Sequence, residues 1–403
     1  MKNKGVLRYS GKKNKVFSFG EKLVLICLFL MSMDFYNKYS YLAFCAAGLF
    51  VIQRRSMKLP AMSLAVWVLS MSLCIFSPHA RSLTGMLKPL VFPLCLLIGY
   101  NMTDKHSANR EIAVERIIVV LALGAFAHFA GDMILNWGVA EQRNTIDIWT
   151  KKSMAATRQA GLACIMIAVT VSWLFSEKSK LVKLFAVLIL ASMLYYNFTL
   201  ATRTIVIQLA AAVIMAVIFR LLFEKKGGKR LKVLFFTLVG GSLLLFVMNT
   251  EWFASMFEGT VFYDRFFAKN AYDTLEEDQR MTLKLAFLER MWEYPFGGLH
   301  IRTALNEYAH DILLDTYDEA GIFALGAVIC ILVDAVVKLV RICRNSQISK
   351  ELRTMLLCVI TVIFLEFMIE PILEGLPWLL AVFCVIYGAM GRLSYADERL
   401  EIE

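Results

Sequence analysis

The sequence predicts an all-α polytopic membrane protein with about 12 transmembrane helices and one long, partly helical extramembrane loop. Of its 403 residues, 59% are hydrophobic and 19% are charged, whereas soluble domains are close to half apolar and a quarter charged. The apolar residues are collected in runs near the ~20 residues needed to cross a bilayer. Only helices and closed barrels span lipid, and these runs lack the alternation of barrel strands.

The apolar runs define the candidate spans in chain order. The first, second and last runs are short. No small-residue cleavage site follows the first run, so we expect a retained first span and not a signal peptide. The spans cover residues 22–33, 39–52, 61–76, 83–100, 112–135, 155–175, 181–198, 204–223, 231–248, 321–340, 355–372 and 378–391.

Lys and Arg gather in every second loop. Residues 54–58, 105–116, 178–183, 225–230 and 341–353 are rich in them, whereas residues 34–38, 197–202 and 371–377 are nearly free of them. The positive-inside rule therefore predicts a cytoplasmic N-terminus and an outer location for the long loop. The net charge of +10 follows from these loops, so no nucleic-acid partner is expected.

Residues 251–320 form the only long polar segment and divide the chain into three parts: spans 1–9 in residues 1–250, the loop, and spans 10–12 with a tail in residues 321–403. Within the loop, the spacing of Met281, Leu285, Leu288 and Trp292 predicts a helix over residues 278–292, and residues 306–318 are predicted to be helical again. No internal repeat is visible, and the loop is not central. Both observations count against a transporter built from two matching halves.

Three arginines are candidates for phosphate binding. Arg203 lies between Thr202 and Thr204 at the outer end of the eighth span, where a charge is costly unless it meets water or a partner. Arginine grips phosphate oxygens with two parallel hydrogen bonds. The alternative is an arginine that reaches the lipid head groups. Arg280, at the start of the loop helix, and Arg265 are either phosphate ligands or solvated surface charges. A salt bridge with Glu276 or Glu277 is a further alternative for Arg280.

His310 is the strongest candidate for proton transfer, because histidine titrates near neutral pH. Asp311, Asp315 and Glu319 lie close by in sequence and could orient it, and the alternative is a histidine at an interface edge with no chemical role. Glu366, Glu370 and Glu374 are spaced four apart and predicted to line one helical face. They could bind an acceptor sugar, balance the arginines or form a polar stripe inside the bundle.

No metal site or cofactor is predicted. Eight of the nine cysteines lie inside apolar runs, and the chain has no Cys-x-x-Cys, P-loop or dinucleotide fingerprint. Phosphate charge would then be met by basic side chains. Arg158 lies near the outer start of the sixth span. Together with Arg81 and Lys88 it is expected to form a basic pocket that faces outward.

The order of short motifs carries a resemblance. Thr202-Arg203-Thr204 is followed by Asp278-Gln279-Arg280, by Pro295-Phe296-Gly297-Gly298, and by His310-Asp311 with Gly321 eleven residues after the histidine. This ordered set resembles the O-antigen ligase and polymerase superfamily. Asp311 and Ala324 depart from the residues that family members often carry at these places.

The resemblance implies a metal-independent, inverting GT-C-type glycosyltransferase in the bacterial inner membrane, with its active site facing the periplasm. In the ligase branch, polysaccharide moves from undecaprenyl diphosphate to the lipid A–core oligosaccharide, in lipopolysaccharide biosynthesis. Arg203 and Arg280 would hold the diphosphate, and His310 would act as a base or an orienting hydrogen bonder. Substrate-binding contacts are expected from Arg265, Arg158, Asp311 and Glu370.

Two other functions stay open. An O-antigen or capsule polymerase would use the same lipid-linked donor and differ only in its acceptor. A transporter of lipid-linked sugars would place charges near mid-span along a path, whereas the charges here gather at the outer ends.

Overall fold

The structure is a computed structural model of the chain. It describes residues 19–36, 38–53, 58–105, 110–138, 144–223 and 279–394. Between 224 and 278 it describes only residues 228, 235, 239–242, 250–255, 258 and 263. Arg265 and most of the predicted ninth span, residues 231–248, lie outside the described residues.

The chain is a multi-pass helical membrane protein, as predicted. One β-hairpin and fifteen α-helices are described. They are α1 (Phe19–Ser32), α2 (Lys38–Gln53), α3 (Ser63–Phe76), α4 (Leu83–Lys105), α5 (Arg110–Leu135), α6 (Ala156–Leu174), α7 (Lys180–Thr199), α8 (Thr204–Phe223), α9 (Glu251–Ser255), α10 (Gln279–Arg290), α11 (His300–Leu305), α12 (Ile312–Arg344), α13 (Lys350–Ile369), α14 (Ile372–Gly375) and α15 (Pro377–Ser394).

Eight described helices are long and apolar enough to cross a bilayer, namely α4 to α8, α12, α13 and α15. Two shorter apolar helices, Tyr39–Phe50 and Ser63–Phe76, accompany them. The predicted eighth span coincides with α8. The total of twelve stays a prediction, because α1, α2 and α3 have only 14, 16 and 14 residues and the ninth span is not described.

The core of the bundle is formed by α6 and α15. Helix α6 packs against α5, α7, α8 and α13, while α15 packs against α4. A side chain at Gly99 would meet the Val385 carbonyl oxygen at 2.1 Å, and one at Gly388 would meet that of Leu96 at 2.1 Å. Small residues thus let α4 and α15 approach closely, which is how helices gain packing energy inside a bilayer.

The bundle has two chemically different ends. We call the end that carries residues 279–311 the cap face. At the other end, Lys178 lies 2.8 Å from Glu115, and the Ser349 amide donates to Glu111 at 2.9 Å. These residues belong to three of the predicted basic loops, 105–116, 178–183 and 341–353, so these three loops share one end. Which end faces the cytoplasm stays a prediction.

Helix α12 bends at Gly321, where the tenth span was predicted to begin. Gly321 has φ 78° and ψ −167°, outside the helical region. The Ile322 amide donates to the Pro295 carbonyl at 2.9 Å, and the Leu299 amide donates to that of Asp318 at 2.8 Å. The turn at residues 295–299 therefore supplies partners for the backbone at the bend. The predicted second loop helix begins later than expected, at Ile312, after the short α11.

Candidate functional site

Two cations on one face of α10 contact the end of α13. Arg280 and Lys284 are four residues apart, so they share a helical face. Lys284 Nζ lies 2.8 Å from the Met368 carbonyl oxygen, and Arg280 Nη1 lies 3.0 Å from that of Ile369. The last carbonyls of a helix lack helical partners and carry its negative pole, which favours cations there. The loop helix is thereby held against the end of a membrane-spanning helix.

Glu370 lies beside these cations at the C-cap of α13. Its Oε1 is 3.6 Å from Arg280 Nη2, and its carboxylate accepts a hydrogen bond from the Thr157 hydroxyl. Burial raises the pKa of Glu370, with Arg280 acting in the opposite direction. The carboxylate is therefore a buried partner of Arg280 at this site.

The predicted single face of three glutamates is wrong. The backbone of Glu370 is extended, because the residue before Pro371 is pushed out of the helical region. Glu366 faces inward to Gln208, whereas Glu374 lies on the separate helix α14. Glu370 is the glutamate whose carboxylate lies 3.6 Å from Arg280.

His310 lies in the turn before α12 with a positive φ of 54°. Its Nδ1 is buried and has no hydrogen-bond partner. Burial first, and then the charges of Arg280 and Lys284, lower the pKa of His310 to about 4. The imidazole is therefore neutral at neutral pH and offers a nitrogen close to two cations.

Asp311 does not orient the histidine as predicted. One carboxylate oxygen caps α12 by accepting from the Leu313 amide at 2.9 Å, and the other lies 3.1 Å from Lys284 Nζ. The reason is positional, since an aspartate just before a helix is an N-cap. Asp311 instead links Lys284 to α12.

Arg203 lies in the turn before α8, and its depth follows from the packing of α8 against α13. Gln208 of α8 donates to Glu366 of α13, and the Ala212 carbonyl accepts from Cys358 at 3.4 Å, so the two helices run in opposite directions. Thr204, the first residue of α8, and Glu370 each lie four residues, about one helical turn, beyond this pair in the direction of the cap face. The start of α8 is therefore level with Glu370. Arg203 therefore lies at the depth of Arg280 and Glu370.

Arg158 belongs to a neighbouring cavity of about 510 Å³. Its Nη2 lies 3.0 Å from Asp34 Oδ2. Lys88 also lines the cavity and donates to the Leu373 carbonyl at 3.0 Å. Thr157, next to Arg158 in the chain, bonds to Glu370, so the cavity adjoins the Arg280 cluster. Its other polar or aromatic lining includes Tyr36, Tyr39, Tyr41 and Glu374.

The Glu374 carboxylate bonds to three side chains that the sequence did not indicate. His79 Nε2 and the Tyr308 hydroxyl each lie 2.7 Å from its carboxylate, and Arg302 also pairs with it. Burial would raise the pKa of Glu374, but these hydrogen bonds together hold it below its usual value. The partners come from distant parts of the chain, so no spacing could have revealed them. Lys284, by contrast, was detectable from its four-residue spacing to Arg280.

A buried polar network holds an unpredicted β-hairpin, Asn144–Ile146 paired with Ser153–Ala155. His128 Nε2 lies 3.1 Å from Asp147 Oδ2 and 3.4 Å from Asp132 Oδ2. These three side chains are the one group among the described residues whose geometry could hold a metal ion. However, the Asp132 oxygens accept from the Ile148 amide and from Gln159. The group thus already fastens the hairpin to α5 and α6.

Asp147 also holds the tip of the hairpin. Its Oδ1 accepts from the amides of Trp149 and Thr150, and its Oδ2 lies 3.7 Å from Arg158. Burial would raise the pKa of Asp147, but the hydrogen bonds from His128 and Thr150 hold it well below its usual range. The hairpin therefore positions Arg158 at the cavity.

Together, the fold and these contacts define a multi-pass helical membrane protein with a cationic cluster where the short helix α10 meets the end of α13, a helix long and apolar enough to span a membrane. No protein-family model matches the chain, and no curated protein matches it.

Proposed function

We propose that this chain is a glycosyltransferase of the O-antigen ligase and polymerase type. It would transfer polysaccharide from undecaprenyl diphosphate to the lipid A–core oligosaccharide at the periplasmic face of the inner membrane. One observation carries the proposal, namely the convergence of Arg280, Lys284 and His310 at the end of α13. The ordered motifs of the sequence support it.

The cations are suited to a diphosphate leaving group. Transfer from a sugar diphosphate develops negative charge on the departing phosphate, and fixed cations stabilise such charge. Arg280 and Lys284 now contact carbonyls and carboxylates, for which phosphate oxygens could substitute. Arg203 lies at the same depth. Because a prenyl chain keeps its diphosphate at the membrane boundary, these side chains lie at the depth that such a donor requires.

The proposed reaction is a direct displacement. The acceptor hydroxyl oxygen forms a bond to the anomeric carbon, the bond from that carbon to the diphosphate breaks, and the hydroxyl proton passes to His310. The anomeric centre inverts. A pKa of about 4 makes the free imidazole a weak base. A bound diphosphate would offset the charges of Arg280 and Lys284, which raises this pKa and strengthens His310 when the donor is in place.

The adjoining cavity is suited to the polar part of a glycolipid. Two apolar residues of its wall, Leu42 on α2 and Leu87 on α4, are exposed. They would contact the lipid part of such a ligand. Its tyrosines and its charged residues, Asp34, Lys88 and Arg158, offer stacking surfaces and hydrogen bonds to sugar hydroxyls.

The test uses purified protein with a lipid-linked polysaccharide donor and a lipid A–core acceptor, with and without chelator. Attached product in the presence of chelator would support a metal-independent ligase, and His310→Ala should abolish it. Chain growth with a second donor, but no product with core, would change the assignment to polymerase. If neither product forms, and sealed vesicles move the donor across the bilayer instead, the chain is a transporter.

A further inference from the structure

Helix α10 and the 3-10 turn that follows it, Met291–Glu293, carry an exposed apolar stripe that the proposed chemistry does not use. Met281, Leu285, Leu288 and Trp292 recur at the spacing of one helical face, with about 3.6 residues per turn. All four are between 46% and 72% exposed. Single exposed apolar residues are ordinary, but a continuous stripe on a helix indicates a contact surface.

The stripe is distinct from the face of α10 that packs against the rest of the chain. Phe287 is buried together with Ile301 and Ala309, and Arg280 and Lys284 point to the end of α13. A third face carries exposed polar groups, including Thr282, Glu289 and Arg290. The apolar stripe lies between the buried face and this polar face, as in a helix that lies flat in a membrane interface.

The contacts of α10 fix its depth at the membrane boundary. Its two cations bond to Met368 and Ile369, the last residues of a candidate membrane span. A helix so attached lies level with the end of that span and not above it in water.

The segment after α10 returns to the same level. The ring of Phe296 stacks on Phe76, the last residue of α3, with 5.6 Å between ring centroids. The Ile322 amide, at the bend of α12, bonds to the neighbouring Pro295 carbonyl at 2.9 Å. Both ends of the segment from α10 to Phe296 therefore lie at the boundary.

The stripe continues the lipid-facing surface of the bundle. Phe296 is exposed, and so are Ile75 near the end of α3 and Ile322 and Phe323 at the first turn after the bend. Trp292 lies four residues before Phe296, and tryptophan favours the level of the lipid head groups.

We propose that α10 lies in the bilayer interface at the cap face, with Met281, Leu285, Leu288 and Trp292 in contact with lipid. The occupant of the stripe is lipid and not a second protein. This contact acts together with the bonds of Arg280 and Lys284 to hold α10 at that depth. It does not depend on which reaction the protein catalyses.

The experiment measures the depth of a fluorescent NBD group attached at Leu288→Cys, in a background with Cys27, Cys74 and Cys330 replaced. The matched control is Glu289→Cys, the next residue on the polar face. The protein is placed in nanodiscs of phosphatidylethanolamine and phosphatidylglycerol, with a quencher at carbon 5 of the acyl chain. We expect at least twofold stronger quenching at position 288 than at 289, and the reverse order with aqueous iodide.

Equal quenching at the two positions, or stronger iodide quenching at 288, would overturn the proposal. Cross-linking of two copies through Leu288→Cys in the nanodisc would overturn it too, because a protein would then cover the stripe. A second measurement uses no label. Bromolipids should quench the wild type more than Trp292→Phe, and an equal quenched fraction in both would contradict lipid contact.

Discussion

The ammonium group of Lys284 lies 3.1 Å from a carboxylate oxygen of Asp311, the residue that caps α12. The same group bonds to the Met368 carbonyl at the end of α13. One side chain thus joins the loop helix to two helices and places its charge near His310. Removing that charge should change both the geometry and the titration of the site.

Lys284→Met should raise the pKa of His310. The wild-type value of about 4 is lowered by burial and by the charges of Arg280 and Lys284, and removing one cation makes protonation less costly. The pKa should then move toward 6.5, the ordinary value for histidine. Lys284→Arg keeps the charge and should leave the pKa near 4. The measurement is histidine NMR of protein labelled with ¹³C-histidine, with His310→Gln used to assign the signal. An unchanged titration in Lys284→Met would contradict the assigned cause.

Arg280→Ala should lower kcat/KM for the lipid-linked donor about 100-fold, which corresponds to ~3 kcal/mol. The physical reason is the loss of charge-assisted hydrogen bonds to phosphate. Arg280→Lys should recover activity only partly, because lysine lacks the forked geometry. Arg203→Ala should have a similar effect. Arg290→Ala, an exposed arginine at the other end of α10, serves as the control and should retain activity. Full activity in Arg280→Ala and Arg203→Ala would refute the diphosphate assignment.

Gly321→Ala should destabilise the protein. Residue 321 has a positive φ of 78°, and a Cβ there would lie 2.5 Å from the Pro295 carbonyl oxygen. Backbone strain of this kind costs about 1–3 kcal/mol. Gly326→Ala lies in the same helix with open space around it and should be neutral or stabilising. Melting temperatures in detergent compare the two, and an equal effect would show that the bend is not required.

Asp147→Ala should loosen the hairpin at the cavity. The change removes one of two carboxylates near each of His128 and Arg158, which keep Asp132 and Asp34, and removes the acceptor for the Trp149 and Thr150 amides. Leaving buried donors without an acceptor costs about 1–3 kcal/mol. Lys152→Ala, an exposed change in the same hairpin, should have little effect. The readouts are the melting temperature and protease cleavage within residues 144–155. Equal stability of the two variants would argue against the network.

Eight of the predicted spans correspond to described helices that are long and apolar enough to cross a bilayer, because a span depends on the length of a local apolar run and on bilayer thickness. The span at residues 204–223 matches α8, and the start expected at Gly321 is the bend of α12. The loop helix over residues 278–292 corresponds to α10 with a short 3-10 turn, Met291–Glu293. The hairpin was missed because its three-residue strands are too short to show alternation.

The grouping of side chains at the site was decided by tertiary structure. Spacing along a helix tells which residues share a face, as for Arg280 and Lys284, but not which neighbour that face meets. Nothing local places Glu374 beside His79 and Arg302, or Asp147 beside Arg158. In a membrane protein, apolar residues face both lipid and core, so hydrophobicity alone does not orient a helix. The orientation comes from close packing and buried polar bonds between residues far apart in the chain.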